Sequence, residues 1–492
     1  MSARRRNELA TTGAIIANAF LGLGAQVAIA ARVGPGRELD AFLAATAAPL
    51  AIVGLGVSAF SGVILPALSR RAAPGGGASL EAEFLGSGVA VAAAIGVLGL
   101  AVSQIAALAA PLRGGRLLSV IAWAVATAGL AAQVVTVSHH FRHRFVLPAY
   151  TTMLFPIALG VAALGPWSVS ARTLAAAYLA AALFQLLLLT ITAPAEARPH
   201  WPPRIRAMAG LLRGVVPVVL ATLPSTVFAV SDAFWTRRLP HGAMSYLGLA
   251  TRLTVPIAGI ATTGVATVAF PILARLAADR ATSQLRAELG ALVLRSLVVL
   301  LPLAALGAAL RAPLVHLTLE RGAFGAADRD ALAALLLWFL AGMVLVGTSN
   351  VVIRAFYALE RPRAAATAGV TSTLSYVVLS GVLLPMGVYG IGLAYCLAWV
   401  VTVGIQCVFL NRTIGPLVGR RELHAAGWVL AGAAAVGAAA TAVWRLWTEW
   451  VAGGIERDVA GVGLATLIAA ALYVVPARAA LRLSVPAQEP VP

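Results

Sequence analysis

The sequence predicts an all-α polytopic membrane protein of about 14 transmembrane helices. Three observations carry that prediction. Apolar stretches of about 20 residues follow one another along all 492 positions, and a hydrocarbon core of about 30 Å needs about 20 helical residues to cross it. Hydrophobic residues make up 60% of the chain and charged residues 11%, where soluble domains hold about 45–50% and about 25%. No polar stretch reaches the roughly 50 residues of a soluble domain, which leaves no room for a catalytic head.

In order, the helices read as 9–31, 41–67, 85–110, 117–138, 146–165, 173–194, 209–235, 243–274, 288–310, 331–356, 366–385, 388–410, 426–444 and 459–481. Arg4, Arg5 and Arg6 before the first run imitate a signal peptide. We read that run as a retained helix, because it is long enough to span and its removal releases no soluble domain. The breaks carry turn residues: Pro74 to Gly77 before helix 3, Arg113 to Gly115 before helix 4, Pro199 to Pro203 before helix 7, and Gly387 to Gly390 before helix 12.

Basic residues test this topology. All 36 are arginine. With the N-terminus in the cytoplasm and one crossing per helix, inner loops and tails hold 22 arginines and outer loops 12, with Arg252 and Arg295 inside helices. That excess obeys the positive-inside rule and places both termini inside. The net charge of +18 does not indicate nucleic acid, since the arginines are dispersed over short loops and form no single basic face.

The chain also repeats itself. Pro49 to Gly54 leads to Leu65-Pro66-Ala67-Leu68-Ser69-Arg70, and Pro256 to Ala261 leads to Phe270-Pro271-Ile272-Leu273-Ala274-Arg275. Both segments lie in the second helix of a six-helix set. Six is even, so two parallel repeats are expected, as in many transporters. The domains are then an N-terminal lobe 1–198 (helices 1–6), a C-terminal lobe 199–412 (helices 7–12), and 413–492 with helices 13 and 14 and a cytoplasmic tail.

Ionisable groups inside a bilayer cost on the order of 2.5–3.5 kcal/mol at a helix centre and usually face a cavity. Arg252 is the clearest case. It lies roughly 15 Å into helix 8, with no acid within two turns. Its planar fork suits an anionic substrate such as a phosphate; the alternative is a structural arginine bonded to carbonyls or to a distant acid. Arg32 and Asp40 flank the first outer turn, and Asp232 sits near the outer end of helix 7, close to Arg237 and Arg238. These either line the outer mouth of a cavity or are loop charges that snorkel to the interface.

Other groups point nowhere specific. His139 and His143 have the spacing of a metal pair, but no carboxylate or cysteine is near in sequence, and Arg142 and Arg144 repel a cation. The segment reads as a basic cytoplasmic loop. Cys396 and Cys407 share one helix, about 16 Å apart, and cannot pair. No phosphate loop, HExxH or paired acids beside a nucleophile is present. We therefore expect no enzyme, no metal and no cofactor.

Several segments resemble the MurJ/MviN family. Leu39-Asp40-Ala41-Phe42, Ala59-Phe60-Ser61 and Pro66 resemble its opening; Ser245-Tyr246, Arg252-Leu253 and Pro256 look like its helix 8. Glu320-Arg321-Gly322-Ala323-Phe324 resembles its R-G-x-F segment, and Arg354-Ala355-Phe356-Tyr357-Ala358-Leu359 its R-x-F-Y-A segment. The resemblance implies a two-lobed flippase of the multidrug/oligosaccharidyl-lipid/polysaccharide exporter type in the bacterial plasma membrane. Its substrate would be lipid II, a lipid-linked glycan diphosphate taken from the inner to the outer leaflet by alternating access. By position, Arg252 matches the family's helix-8 arginine, Asp40 its D-A-F aspartate, and Arg32 the arginine before that turn.

The chain departs from the family pattern in three places. Helix 1 reads Gly24-Ala25-Gln26-Val27 where an arginine is usual. Helix 2 reads Ile52 to Ser58 where Arg-Arg and Glu are frequent, and Thr251 stands where an acid often precedes Arg252. Two other readings therefore stay open: a flippase for another polyprenyl-linked oligosaccharide, and a transport-inactive cell-wall scaffold. Membrane lipids, a coupling ion and cell-wall synthesis proteins are the further partners this reading admits, and no coupling ion is identifiable from the residues.

Overall fold

A computed structural model of the chain describes residues 3–60, 64–65, 68, 77–109, 115–193, 199–203, 226–416, 419–451 and 453–484. Among these residues every regular element is a helix. The chain divides into two compact units, Met1–Ser245 with Arg321–Phe324, and Tyr246–Glu320 with Gly325–Pro492.

The first unit contains α1 (Ala3–Val33), α2 (Arg37–Ala59), α3 (Gly77–Ala109), α4 (Gly115–Phe141), α5 (Val146–Thr151), α6 (Leu154–Leu164), α7 (Ala171–Ile191) and α8 (226–235). The helix α9 (Ala243–Ala278) begins in the first unit and has its body in the second. The second unit continues with α10 (Thr282–Ala309), α11 (Arg311–Leu319), α12 (Ala326–Ala358), α13 (Pro362–Val382), α14 (Val388–Ile414), α15 (Arg420–Trp450) and α16 (Ile455–Ser484). Among the described residues, 12 helical stretches have the length and apolar composition to cross a membrane. The expected span 209–235 falls mostly outside the described residues, and α9 is a further 36-residue helix. The expectation of about 14 spans accords with this.

Three local expectations need correction. The fifth span is two helices, α5 and α6, meeting at a turn over 152–153. Pro156 has no N–H to give the Thr152 carbonyl, so the helical ladder cannot run through. The connection before helix 10 is partly helical, as α11. Helix ends also run past their apolar stretches: α3 begins at Gly77 and α12 at Ala326. In α12 the first turn carries Asp328, where the positive helix dipole favours a carboxylate, so a drop in hydropathy does not end a helix.

Each unit is built around one buried spine. In α4, 72% of the best membrane-spanning window is buried and in α12 67%, against 17–39% in the other spans. The spine α4 packs on α3 and α7, and α12 packs on α10 and α14. Those neighbours hold corresponding places in the two six-helix sets.

The spines also end alike. Arg144 N–H reaches the His139 carbonyl at 2.8 Å and His143 N–H the His140 carbonyl at 2.9 Å; Arg361 N–H reaches Phe356 O at 2.8 Å and Glu360 N–H reaches Tyr357 O at 3.1 Å. His143 (φ 58°) and Glu360 (φ 55°) take the left-handed conformation that closes such a helix end. The arginine after each cap then crosses to the sixth helix of its set: Arg144 Nη1 to Thr192 O at 3.4 Å, Arg361 Nη1 to Thr413 Oγ1 at 3.0 Å. Buried Gln185 on α7 donates to Thr151 Oγ1, and buried Gln406 on α14 donates to Ser349 Oγ. Such side-chain bonds join helices where lipid offers no hydrophobic drive between them. The same cap also closes α9, at Arg280 (φ 53°), so it is a recurrent helix ending in this chain.

Candidate functional site

The first candidate region is built on the turn between α1 and α2. Helix α1 ends with Arg32 in its last turn, where the helix dipole favours a cation. The Arg32 side chain is exposed. Gly34 (φ 67°) turns the chain, and its N–H bonds Ala30 O at 3.0 Å. A strap of residues 321–324 lies against this end. Ala323 N–H donates to Ala31 O at 2.7 Å. A Cβ on Gly322 (φ 58°) would stand 2.1 Å from the Ala31 carbonyl oxygen, and one on Gly34 would stand 2.7 Å from the Ala323 oxygen. Both glycines are needed for this approach. Phe324, 1% exposed, anchors the strap, which gives the R-G-x-F segment a physical role.

The first turn of α2 carries two carboxylates, and each caps another helix. Glu38 Oε2 accepts the Ala171 N–H at 2.7 Å, at the start of α7. Asp40 is 0% exposed. Its Oδ2 accepts the Gly242 N–H at 2.7 Å. Its Oδ1 accepts from Ser245 N–H at 2.8 Å and Ser245 Oγ at 2.6 Å. A carboxylate suits the exposed N–H groups and positive dipole at the start of α9. Asp40 thus sits at a helix junction, inside the protein. Phe42 beside it is buried, edge-on to Tyr178 at 6.2 Å. The capping could not be read from sequence, because the partners lie more than 200 residues away.

Asp232 lies in α8, 9% exposed, and its carbonyl accepts from Thr236 Oγ1 at 2.6 Å. Arg238 lies over the rings of Phe234 and Trp235, at 4.9 and 5.1 Å from their centroids, a cation–π arrangement.

In the second unit, Arg252 occupies the interior of α9 and is exposed. The neighbouring hydroxyls are spent on their own helix: Thr251 Oγ1 on Leu247 O at 2.9 Å and Thr254 Oγ1 on Ala250 O at 2.8 Å. Pro256 follows inside the helix and has no N–H to give the Arg252 carbonyl. The ladder is interrupted at the arginine, as in helices that present polar groups within a bilayer. Farther along this unit, α10, α12 and α15 enclose an open apolar groove of about 760 Å³, lined largely by alanines such as Ala304, Ala308, Ala433 and Ala434, with Arg311 on its wall.

The segment after helix 4 differs from expectation. His139 is 1% exposed, and its Nε2 bonds Leu189 O at 3.0 Å. Arg142 grips Glu81 through Nε at 3.2 Å and Nη2 at 2.8 Å, and Ser138 Oγ donates to the same carboxylate. A carboxylate absent from the local sequence is therefore present in space. The sequence reading passed over Glu81 because it precedes the apolar run. Among the described residues no group of three or more His, Cys, Asp or Glu is placed to hold a metal ion.

Comparisons with known proteins agree with one another. The family model described as lipid II flippase MurJ matches residues 29–457. A curated relative from Bdellovibrio bacteriovorus, described as a probable lipid II flippase MurJ, is 25% identical over 251 residues, 49% of this chain and 47% of its own length; the match thus spans about half of that relative. A solved structure of a lipid II flippase MurJ in an inward closed conformation superposes with a TM-score of 0.76 at 16% identity, covering 96% of this chain and 98% of that one. An inward-facing multidrug resistance MATE transporter of the MOP superfamily superposes with a TM-score of 0.61 at 14% identity, over 81% of this chain and 94% of that one.

Proposed function

We propose, from the premise that this chain belongs to the lipid II flippase MurJ family, that it carries lipid II from the inner to the outer leaflet of a bacterial plasma membrane by alternating access. Both termini are then cytoplasmic, as the arginine distribution favours. The observation that carries the proposal is Arg252, an arginine kept inside an apolar membrane helix at a break in its hydrogen-bond ladder. A diphosphate leaving water loses hydration, and charge-assisted bonds from a guanidinium replace it.

Arg252 and Arg32 are the substrate cations in this reading. Asp40 acts by position: its three bonds fix the start of α9, the helix that carries Arg252. Asp232 belongs to the same set as a buried acid near the end of α8. The apolar groove beside Arg311 takes the prenyl chain while the headgroup crosses. The division into lobes 1–198 and 199–412, with 413–492 added, follows the six-helix repeat. A membrane potential supplies about 2.3 kcal/mol per elementary charge per 100 mV, enough for it or a coupling ion to reset the cycle.

One observation favours a second reading of the headgroup. Thr251 stands where the family pattern often places an acid, and its hydroxyl is bonded within the helix. A less charged site fits another polyprenyl-linked glycan. Rescue of cells depleted of their lipid II flippase, scored by lipid II exposed at the surface, tests both. Rescue by the wild type, with transport falling about tenfold or more in Arg252→Ala, is the expected result, since a hydrogen bond to a charged group contributes about 1.5–3 kcal/mol. Absence of rescue at verified membrane expression would move the assignment to another glycan or to a scaffold. Full transport by Arg252→Ala would remove the arginine from the mechanism.

A further inference from the structure

The connection between α10 and α12 holds a histidine between two carboxylates. His316, on α11, has Nδ1 2.8 Å from Glu320 Oε2 and Nε2 3.4 Å from Asp458 Oδ2 in the first turn of α16. Its side chain is 38% exposed, whereas those of Glu320 and Asp458 are 17% and 9% exposed. A neutral imidazole has one N–H and one lone pair. It can donate to one carboxylate only, and its lone pair then faces the other. Two ionised carboxylates are both satisfied only by the imidazolium, which donates from both nitrogens.

The surrounding charges point the same way. Arg329 on α12 donates to Glu320 Oε2 at 3.1 Å and to Asp330 Oδ1 at 2.8 Å, and Arg457 lies 2.7 Å from Asp458 Oδ1. Three carboxylates, Glu320, Asp330 and Asp458, thus meet two guanidiniums, and a proton on His316 makes the cluster neutral. Nearby Asp328 is engaged elsewhere, by Tyr246 Oη and the Gly325 N–H. Glu456 adds one more negative charge to the first turn of α16. Arg311, on the helix of His316, donates to Ala308 O, and the last turn of α10 before it, Leu306–Ala309, carries no charge.

We infer that His316 is a proton-binding site, and that its proton latches the first turn of α16 to α11. The latch joins one of the two helices outside the six-helix repeats to the connection before α12. Imidazole exchanges its proton near neutral pH. Below that range the latch is closed. As pH rises the proton leaves, one of the two bonds is lost, and a net negative charge repels Asp458 from Glu320.

The test uses the full chain in nanodiscs with ¹⁵N-labelled histidine. Seven histidines are present, and His316→Gln identifies one resonance by its absence. That resonance should be doubly protonated under the conditions in which residues 455–458 are protected and singly protonated in those in which they are not, and Glu320→Gln should uncouple the two. A one-proton imidazole in the wild type at every pH that keeps the chain folded overturns the site. Hydrogen exchange of residues 455–458, corrected for intrinsic pH dependence, reads the latch without any assignment. Exchange should speed up about tenfold as pH rises in the wild type, the scale of one charge-assisted bond, and stay flat in His316→Gln. Equal pH dependence in wild type and variant overturns the latch.

Discussion

The two spine helices close with the same backbone turn, yet the space beneath each turn is filled by different chemistry. Under the end of α12 lies Phe356, 0% exposed, among Leu410, Ile414 and Leu285. The matching place in α4 holds His139, bonded to the Leu189 carbonyl, with Arg142, Glu81 and Ser138 alongside. The same cap is therefore compatible with two different interiors. An apolar filling asks only that lipid and water be excluded, whereas a polar one also asks for partners; His139 Nε2 has the Leu189 carbonyl, and its buried Nδ1 is left without one.

Deleting each filling breaks the comparison most sharply. Phe356→Ala removes a fully buried ring and leaves a cavity, with an expected loss of about 3–5 kcal/mol. Thermal unfolding in detergent should place it well below the wild type. Glu81→Ala leaves Arg142 beside a hole in unit 1. Loss of one partner of a buried pair costs about 3–5 kcal/mol. Because the Arg142 side chain is 23% exposed and can turn toward solvent, we expect about 2–3 kcal/mol. Restoring the balance with Glu81→Leu and Arg142→Leu together should recover part of that loss, while no second substitution at a distance should rescue Phe356→Ala. Equal rescue in both units would mean that the two interiors are not distinct after all.

The same contrast explains what was legible in the sequence. Apolar length is a local signal, and it carried the fold. The resemblance of Arg354-Ala355-Phe356-Tyr357 to a known segment was legible too, and the structure shows why it matters: Ala355 and Phe356 are the fully buried underside of the α12 cap. Polar packing was not legible. Asp40 finds Gly242 and Ser245, and Glu81 finds Arg142 61 residues on, only once the chain is folded. Nothing in the local pattern separates a carboxylate that caps a distant helix from one that lines a cavity. The same limit kept His316 and Asp458 apart, since the two residues lie in different predicted loops.

The caps themselves offer the smallest and most selective test. A left-handed backbone costs an ordinary L-residue roughly 1–2 kcal/mol, and glycine escapes that cost. Glu360 is exposed, so Glu360→Gly removes a strained residue with little side-chain contact to lose. It should raise stability by up to about 1 kcal/mol, less the extra freedom glycine gives the unfolded chain. His143 is also exposed, but its ring meets Phe145 edge-on at 6.2 Å, and His143→Gly gives that contact up. It should therefore gain less than Glu360→Gly. If the two substitutions instead shift the unfolding temperature in opposite directions, the caps share only their hydrogen-bond pattern, and the side chain at the left-handed position has been put to different use in each unit.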